Sequence, residues 1–371
     1  MDLELSNDQL ALRDNIRTVL EGACPPDAVR AVYEGSGDSR ALWEQVADLG
    51  WPGLSVPESA GGLGLGFVEV ALLAEDLGRA TAPGPLLATA SQLTPALVEA
   101  KAHSELEEVA SGRRTGALAV SECGRWRPDQ PQTAAAPTAD GWGVSGAKTD
   151  VCSGTEVSSF VVWAAHDRTG APGLFLVEAG DAEARPKPSI EPTLALTDVE
   201  FDEAPATALV EPGDGSSDAV ERVLQHAVVA MAMQTVGACR RIFEVTLEYA
   251  KVREQYGRPI GSFQAVKHRL ADLFLAVERA TAVCYYASLC IAEDSEGRAA
   301  AAHSSKIAAG DCQRLLARDG LQLHGGIGFT WENDLHFLLK RAKAGELLCG
   351  SSRFHRGELA AILGLADKGE S

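Results

Sequence analysis

Arg253-Glu254-Gln255-Tyr256-Gly257-Arg258-Pro259-Ile260-Gly261-Ser262-Phe263-Gln264-Ala265-Val266-Lys267-His268 lies between two long stretches with helical patterning. Upstream, Val220, Val223, Leu224, Ala227, Val228 and Met231 recur at helix spacing. Asp218, with Glu221 three residues on, reads as the N-cap, and the helix is expected to run through Ala250. Downstream, a helix beginning near Ser262 carries Val266, Leu270, Leu273, Val277 and Ala280. A third is predicted from Ala299 to Leu321. It is ended by the glycines of a second block, Gln322-Leu323-His324-Gly325-Gly326-Ile327-Gly328-Phe329-Thr330. A fourth covers Asp334 to Leu348, and no proline follows Pro259. Four long helices with short connections predict a C-terminal four-helix bundle.

Working outward, residues 117–210 hold short apolar or alternating runs: Ala117–Val120, Trp142–Val144, Phe160–Trp163, Leu174–Val177 and Val199–Phe201. Pro, Gly and Asp separate them, which predicts a middle antiparallel β domain. Before it, Asp8–Leu20, Ser39–Leu49, Val68–Gly78 and Ser91–Ala100 are amphipathic and predict an N-terminal helical domain. A chain of 371 residues is too long for one small core. The expectation is an α+β protein in three domains: 1–115, 116–212 and 213–371.

The net charge of −19 speaks against nucleic acid or an anionic membrane as partner, because both repel an acidic surface. The eight cysteines show no CxxC or Cys/His pair at metal-ligand spacing, so no metal is expected. Scattered thiols fit a reducing compartment. The start, MDLELSNDQL, lacks the basic residues and apolar run of a signal peptide. No uninterrupted apolar segment reaches the ~20 residues of a membrane span. A cytoplasmic location is expected.

Each motif has a plain reading beside a chemical one. Gly61-Gly62-Leu63-Gly64 follows Pro57-Glu58 with no βαβ unit around it, so it is not a dinucleotide loop. Arg253 ends a long helix, where any cation is stabilised by the helix dipole. Gly325 and Gly326 suit a helix C-cap; glycines also let a ligand approach bare backbone. Taken together, the REQYG block at Arg253 and the Gln322–Thr330 block resemble the C-terminal signatures of acyl-CoA dehydrogenases. These flavoenzymes desaturate acyl-CoA thioesters. The turn at Pro57–Gly64 is similar to that family's N-terminal "PExxGGxG" turn, and the order helix, β, helix is that of its fold. The resemblance implies FAD as cofactor. Arg253 would reach its pyrophosphate, with Gln255, Tyr256 and Gln264 lining the cofactor. Gln322, Gly325 and Gly326 would contact the adenosine-diphosphate half of an FAD held mainly by a neighbouring subunit. A guanidinium suits a diphosphate because it stays charged and offers forked donors.

The departures are equally informative. The family's T-E-P-x-A-G-S-D run, which wraps flavin and thioester, is lost after Glu122 in Ser121-Glu122-Cys123-Gly124-Arg125-Trp126. Asp150 stands where an aromatic usually covers the flavin. The usual catalytic glutamate position falls on Cys349 and the alternative one on Ala227. Neither is a carboxylate, as α-proton abstraction needs. A thiol has an ordinary pKa of about 8.5, rising on burial. His226 is displaced from Ala227 by about 100° around the helix. Ser351, Ser352 and His355 lack a nucleophile elbow and an orienting acid.

Three functions follow. The first is the base-lacking subunit of an actinobacterial heterotetrameric acyl-CoA dehydrogenase. It would need a paralogous subunit carrying the catalytic glutamate, and the acyl-CoA could be steroid-derived. The second is a self-sufficient homotetrameric acyl-CoA dehydrogenase with a displaced base. The third is a non-dehydrogenase flavoprotein on the same fold. Either dehydrogenase would pass electrons to an electron-transfer flavoprotein.

Overall fold

The computed structural model describes residues 4–365. The backbone divides into two units: residues 4–30, 71–82 and 228–365 form one, and residues 31–70 and 83–227 the other.

The first helix, α1 (Asn7–Ala23), is started by a capping box: the Gln9 amide donates to Ser6 Oγ at 3.2 Å and the Ser6 amide to Gln9 Oε1 at 3.0 Å. There follow α2 (Pro26–Tyr33), α3 (Arg40–Asp48), α4 (Phe67–Arg79), α5 (Leu86–Ala88), α6 (Thr94–Ala100) and α7 (His103–Ala110). The short helices α2 and α7 escaped the sequence reading, because eight residues show barely two turns of periodicity.

The strands are β1 (Gly116–Ala119), β2 (Ala134–Thr138), β3 (Gly141–Val151), β4 (Ser159–His166), β5 (Pro172–Glu178), β6 (Glu183–Pro186) and β7 (Thr197–Val210). Their order is β1-β4-β2-β3-β7-β5, with β5 also pairing β4 and β6 added to β7. Five strands therefore close a ring around Phe160, Val162, Phe175, Val177, Val144 and Phe201. The expected antiparallel domain needs correction, since β1 and β2 both run parallel to β4. The free edge of β1 does not go unpaired. A wide turn at Thr89–Leu93 supplies Thr89 Oγ1 to the Gly116 amide (3.2 Å) and Gln92 Oε1 to the Leu118 amide (2.9 Å).

The remaining elements are α8 (Ser216–Val252), β8 (Glu254–Gln255), β9 (Arg258–Pro259), α9 (Gln264–Ala292), α10 (Arg298–Leu315), α11 (Leu321–His324), α12 (Leu335–Leu347) and α13 (Ser352–Ile362). Asp218 lies in the first turn of α8 and is not its cap; Ser216, hydroxyl-bonded to the Gly213 carbonyl at 2.8 Å, opens the helix. The expected four-helix bundle gains α13, whose N-cap is Ser351.

In the first unit, α4 and α8 approach backbone to backbone. A Cβ on Gly78 would lie 1.9 Å from the Gln234 carbonyl oxygen, and one on Gly237 would lie 1.8 Å from that of Glu75. Ion pairs flank the crossing: Arg240 with Glu75 (3.0 Å) and Glu278 (2.8 Å), Arg79 with Glu244, and Arg17 with Asp76 (3.0 Å). Gly237→Ala is expected to cost about 3 kcal/mol, read from the denaturant midpoint, because a backbone carbonyl cannot move aside like a side chain. A loss below about 0.5 kcal/mol would contradict this close approach.

Burial raises the Asp76 carboxyl to about 6, against the pull of Arg17. The folded state therefore holds a proton that the unfolded state has released between about pH 4 and 6. Stability from this group is present below pH 4 and declines as pH rises through 6. Asp76→Asn should remove that slope, and wild type should lose about 3 kcal/mol relative to the variant across the window. Parallel urea titrations at pH 4 and 7 check this.

Candidate functional site

The α8 helix ends where the Arg253 amide makes its last helical bond, to the Tyr249 carbonyl at 2.8 Å. The chain then folds into a two-residue hairpin, Gln255 pairing Arg258. Tyr256 (φ 54°) and Gly257 (φ 76°) both take positive φ, which a tight hairpin of this twist demands. The Ile260 amide closes the base of the hairpin on the Arg253 carbonyl at 2.7 Å. Tyr256 is 93% exposed, and Arg253, Gln255 and Gln264 are exposed with it. Arg253 has no ion-pair partner among the described residues, whereas Arg258 lies 4.2 Å over the Phe263 ring.

The second block begins as α11 ends at His324. Gly325 has φ 64° and ψ −146°, a conformation open essentially to glycine, so the stop is not the left-handed cap first expected. A Cβ on Gly325 or Gly326 would meet nothing within 4 Å. These two glycines present bare backbone to open space, while Gly328 is needed for packing on Leu321 and His324. Gln322 is exposed beside them. His324 is buried, donates from Nδ1 to the Gly320 carbonyl (3.0 Å), and is held below the usual histidine range by burial. Its ring stacks on Tyr249 at 4.6 Å. Tyr249 is one turn before Arg253 and His324 directly precedes Gly325, so this stack joins the two blocks.

Both positions expected for a base are closed. Ala227 is buried, and the neighbouring His226 donates from Nδ1 to the Arg222 carbonyl (2.7 Å) and meets Phe67 edge-on at 4.8 Å. Cys349 is buried, and burial pushes its thiol up to about 11, so the thiolate is scarce at neutral pH. The loop carrying it is clamped. Lys306 Nζ donates to the carbonyls of Gly345 (2.5 Å), Glu346 (3.1 Å) and Leu348 (2.7 Å), and His355 Nε2 donates to that of Cys349 (2.8 Å). That leaves His355 Nδ1 to accept from His303 Nδ1 at 2.7 Å. Sequence reasoning missed Glu346, the nearest carboxylate along the chain. Burial pulls it up, but Lys343 and Ser352 outweigh this and hold it below the ordinary carboxylate range. It caps α13 through the Ser352 amide (3.2 Å) and hydroxyl (3.1 Å) and makes a poor base. Ser351 is likewise a cap and His355 is buried and neutral, so no hydrolase constellation forms.

In the second unit, Asp150 sits at φ 58° with its carboxylate 2.8 Å from Lys187. Glu122 accepts from Lys148 Nζ (2.6 Å), the Thr133 amide (2.9 Å) and the Gln132 amide (2.7 Å). Both carboxylates are occupied by the strand framework.

Comparison with known proteins agrees with the motifs. Residues 6–107 match the family model described as acyl-CoA dehydrogenase, N-terminal domain, and residues 213–364 that described as acyl-CoA dehydrogenase, C-terminal domain. Acyl-CoA dehydrogenase IpdE2 of Mycobacterium tuberculosis is 32% identical over 345 residues, 92% of this chain and 93% of its own length. A solved variant of the Tcur3481-Tcur3483 steroid ACAD is 30% identical, with a TM-score of 0.86 over 96% of this chain and 98% of that one. The ChsE4-ChsE5 complex from Mycobacterium tuberculosis contains a chain 26% identical, with a TM-score of 0.87 over 99% of this chain and 100% of that one.

Proposed function

Because the chain belongs to the acyl-CoA dehydrogenase family, and so to the oxidoreductases acting on CH–CH bonds, we propose that it is a subunit of a heteromeric member that shares FAD with its partner and lacks a base of its own. The observation that carries the reading is a pairing of opposites. Arg253, without an ion-pair partner among the described residues, and the open Gly325–Gly326 backbone are presented outward, while both base positions are plugged by packing.

The residues fit the diphosphate half of the cofactor. Arg253 would hold the pyrophosphate with forked, charge-assisted donors, and Gln255, Tyr256 and Gln264 would line the same surface. Gln322, Gly325 and Gly326 would accept the adenosine-diphosphate portion against bare backbone. FAD, when bound, supplies the acceptor for the β-hydride. Asp150, engaged by Lys187, offers no aromatic cover for a flavin ring, so that cover and the α-proton base would come from a paralogous subunit. Val252, Tyr256, Ile327 and Phe329, all exposed apolar groups around the two blocks, suit burial by such a partner. The steroid ACAD among the relatives supports a bulky, steroid-derived acyl-CoA as substrate, and the ChsE4-ChsE5 complex supports an unlike partner. An electron-transfer flavoprotein is the proposed electron acceptor.

Cys349→Ala should leave kcat/KM of the assembled enzyme within about twofold, because the thiol takes no part in proton transfer. A loss of about a hundredfold or more would return Cys349 to the reaction and refute a base-lacking subunit.

A further inference from the structure

The two blocks that face the diphosphate lie on different elements, and their spacing decides whether one ligand meets both. Among the described residues, no hydrogen bond or ion pair runs from residues 253–264 to residues 322–330. The link is one step removed. Tyr249 lies in the last turn of α8 and is tied to Arg253 by the helical bond from the Arg253 amide to the Tyr249 carbonyl, 2.8 Å long. Its ring stacks on His324, with centroids 4.6 Å apart and planes 18° from parallel. Its hydroxyl donates to the His324 carbonyl at 3.4 Å, a long bond that adds little to the ring contact. That carbonyl belongs to the peptide leading into Gly325.

His324 reaches Tyr249 because the helix carrying it is offset. The chain passes from α10 into α11 through a π turn, Leu316–Gly320. One extra residue in a turn rotates everything beyond it by about 100° around the helix axis. On an uninterrupted α-helix His324 would point to another face. Contacts with two helices pin the turn. A Cβ on Gly320 would lie 3.0 Å from Ile242 Cγ2 of α8, and Asp319 pairs with Arg269 of α9 at 3.4 Å. His324 Nδ1 then donates to the Gly320 carbonyl at 3.0 Å, which fixes the plane of its ring against Tyr249.

We propose that Tyr249 is a positioning residue for the flavin site: through its stack on His324 it sets the spacing between the Arg253 guanidinium and the Gly325–Gly326 backbone, so that one diphosphate meets both. The inference rests on the functional reading above. The ring carries the effect, and the hydroxyl is secondary.

The test titrates FAD into the assembled complex by flavin fluorescence, with Tyr249→Leu and Tyr249→Phe made singly and Tyr249→Leu combined with Arg253→Ala. Tyr249→Leu should weaken FAD by about fivefold or more, the scale of one aromatic pair. Tyr249→Phe keeps the ring and should stay within about twofold. A spacing matters only while both contacts exist, so on the Arg253→Ala background Tyr249→Leu should cost less than about twofold more. If Tyr249→Leu does not fold, His324→Leu removes the other ring of the stack and carries the same expectations. Flavin affinity unchanged in Tyr249→Leu, a loss in Tyr249→Phe as large as in Tyr249→Leu, or the full Tyr249→Leu loss repeated on the Arg253→Ala background would each overturn the proposal. The last result would mark Tyr249 as merely structural. These outcomes leave the functional reading standing wherever Arg253→Ala alone strips the flavin. Full flavin in Arg253→Ala would sink that reading and this inference with it.

Discussion

Arg253→Ala is expected to strip the flavin from the assembled complex without unfolding this chain. The side chain is exposed and has no ion-pair partner among the described residues, so its own contribution to stability is within about 0.5 kcal/mol. The proposed contact with a diphosphate is worth far more. Two parallel charge-assisted hydrogen bonds at roughly 1.5–3 kcal/mol each predict at least a hundredfold loss of flavin affinity. Gel filtration followed by flavin absorbance measures the loss, and the melting temperature of the chain alone should hold steady. Arg253→Lys keeps the charge but not the fork and should recover only part of the affinity. A complex that retains full flavin after Arg253→Ala would remove Arg253 from the cofactor site.

The largest expected effect on stability comes from Lys306→Met. The ammonium is buried and serves three carbonyls at the end of α12. Methionine keeps most of the stem volume but leaves those acceptors without their donor, at roughly 1–3 kcal/mol for each that water cannot reach. A total of about 3–5 kcal/mol is expected in the urea midpoint. The loop from Leu348 to Gly350 should loosen as well, and the Cys349 thiol should then react with a thiol reagent well below global unfolding. Unchanged stability with an inert thiol would show that Lys306 does not hold the plug over the position where the family places its base.

What was legible in the sequence follows from what is local. The blocks at Arg253 and Gly325 stood out because they resemble a family's signatures, and the structure supplies a local reason for their glycines: Gly257 sits in a hairpin with two positive φ values, and Gly325 occupies a region closed to other residues. The long helices α8 and α9 showed because many turns of apolar periodicity accumulate. Ala134–Thr138 and Glu183–Pro186 carry too little apolar contrast to read as strands, and the parallel pairing of β1 with β4 joins segments some forty residues apart. The plugging of Cys349 by Lys306 and His355, the α4–α8 crossing at Gly78 and Gly237, and the stack of His324 on Tyr249 all arise from tertiary approach. No window along the chain contains them.

The most direct test of the central claim is to purify this chain alone and with a paralogous glutamate-bearing subunit, and to measure flavin absorbance together with native mass. The account predicts little flavin on the chain by itself and stoichiometric flavin only in the mixed assembly. A homotetramer of this chain carrying full flavin and oxidising an acyl-CoA would contradict it.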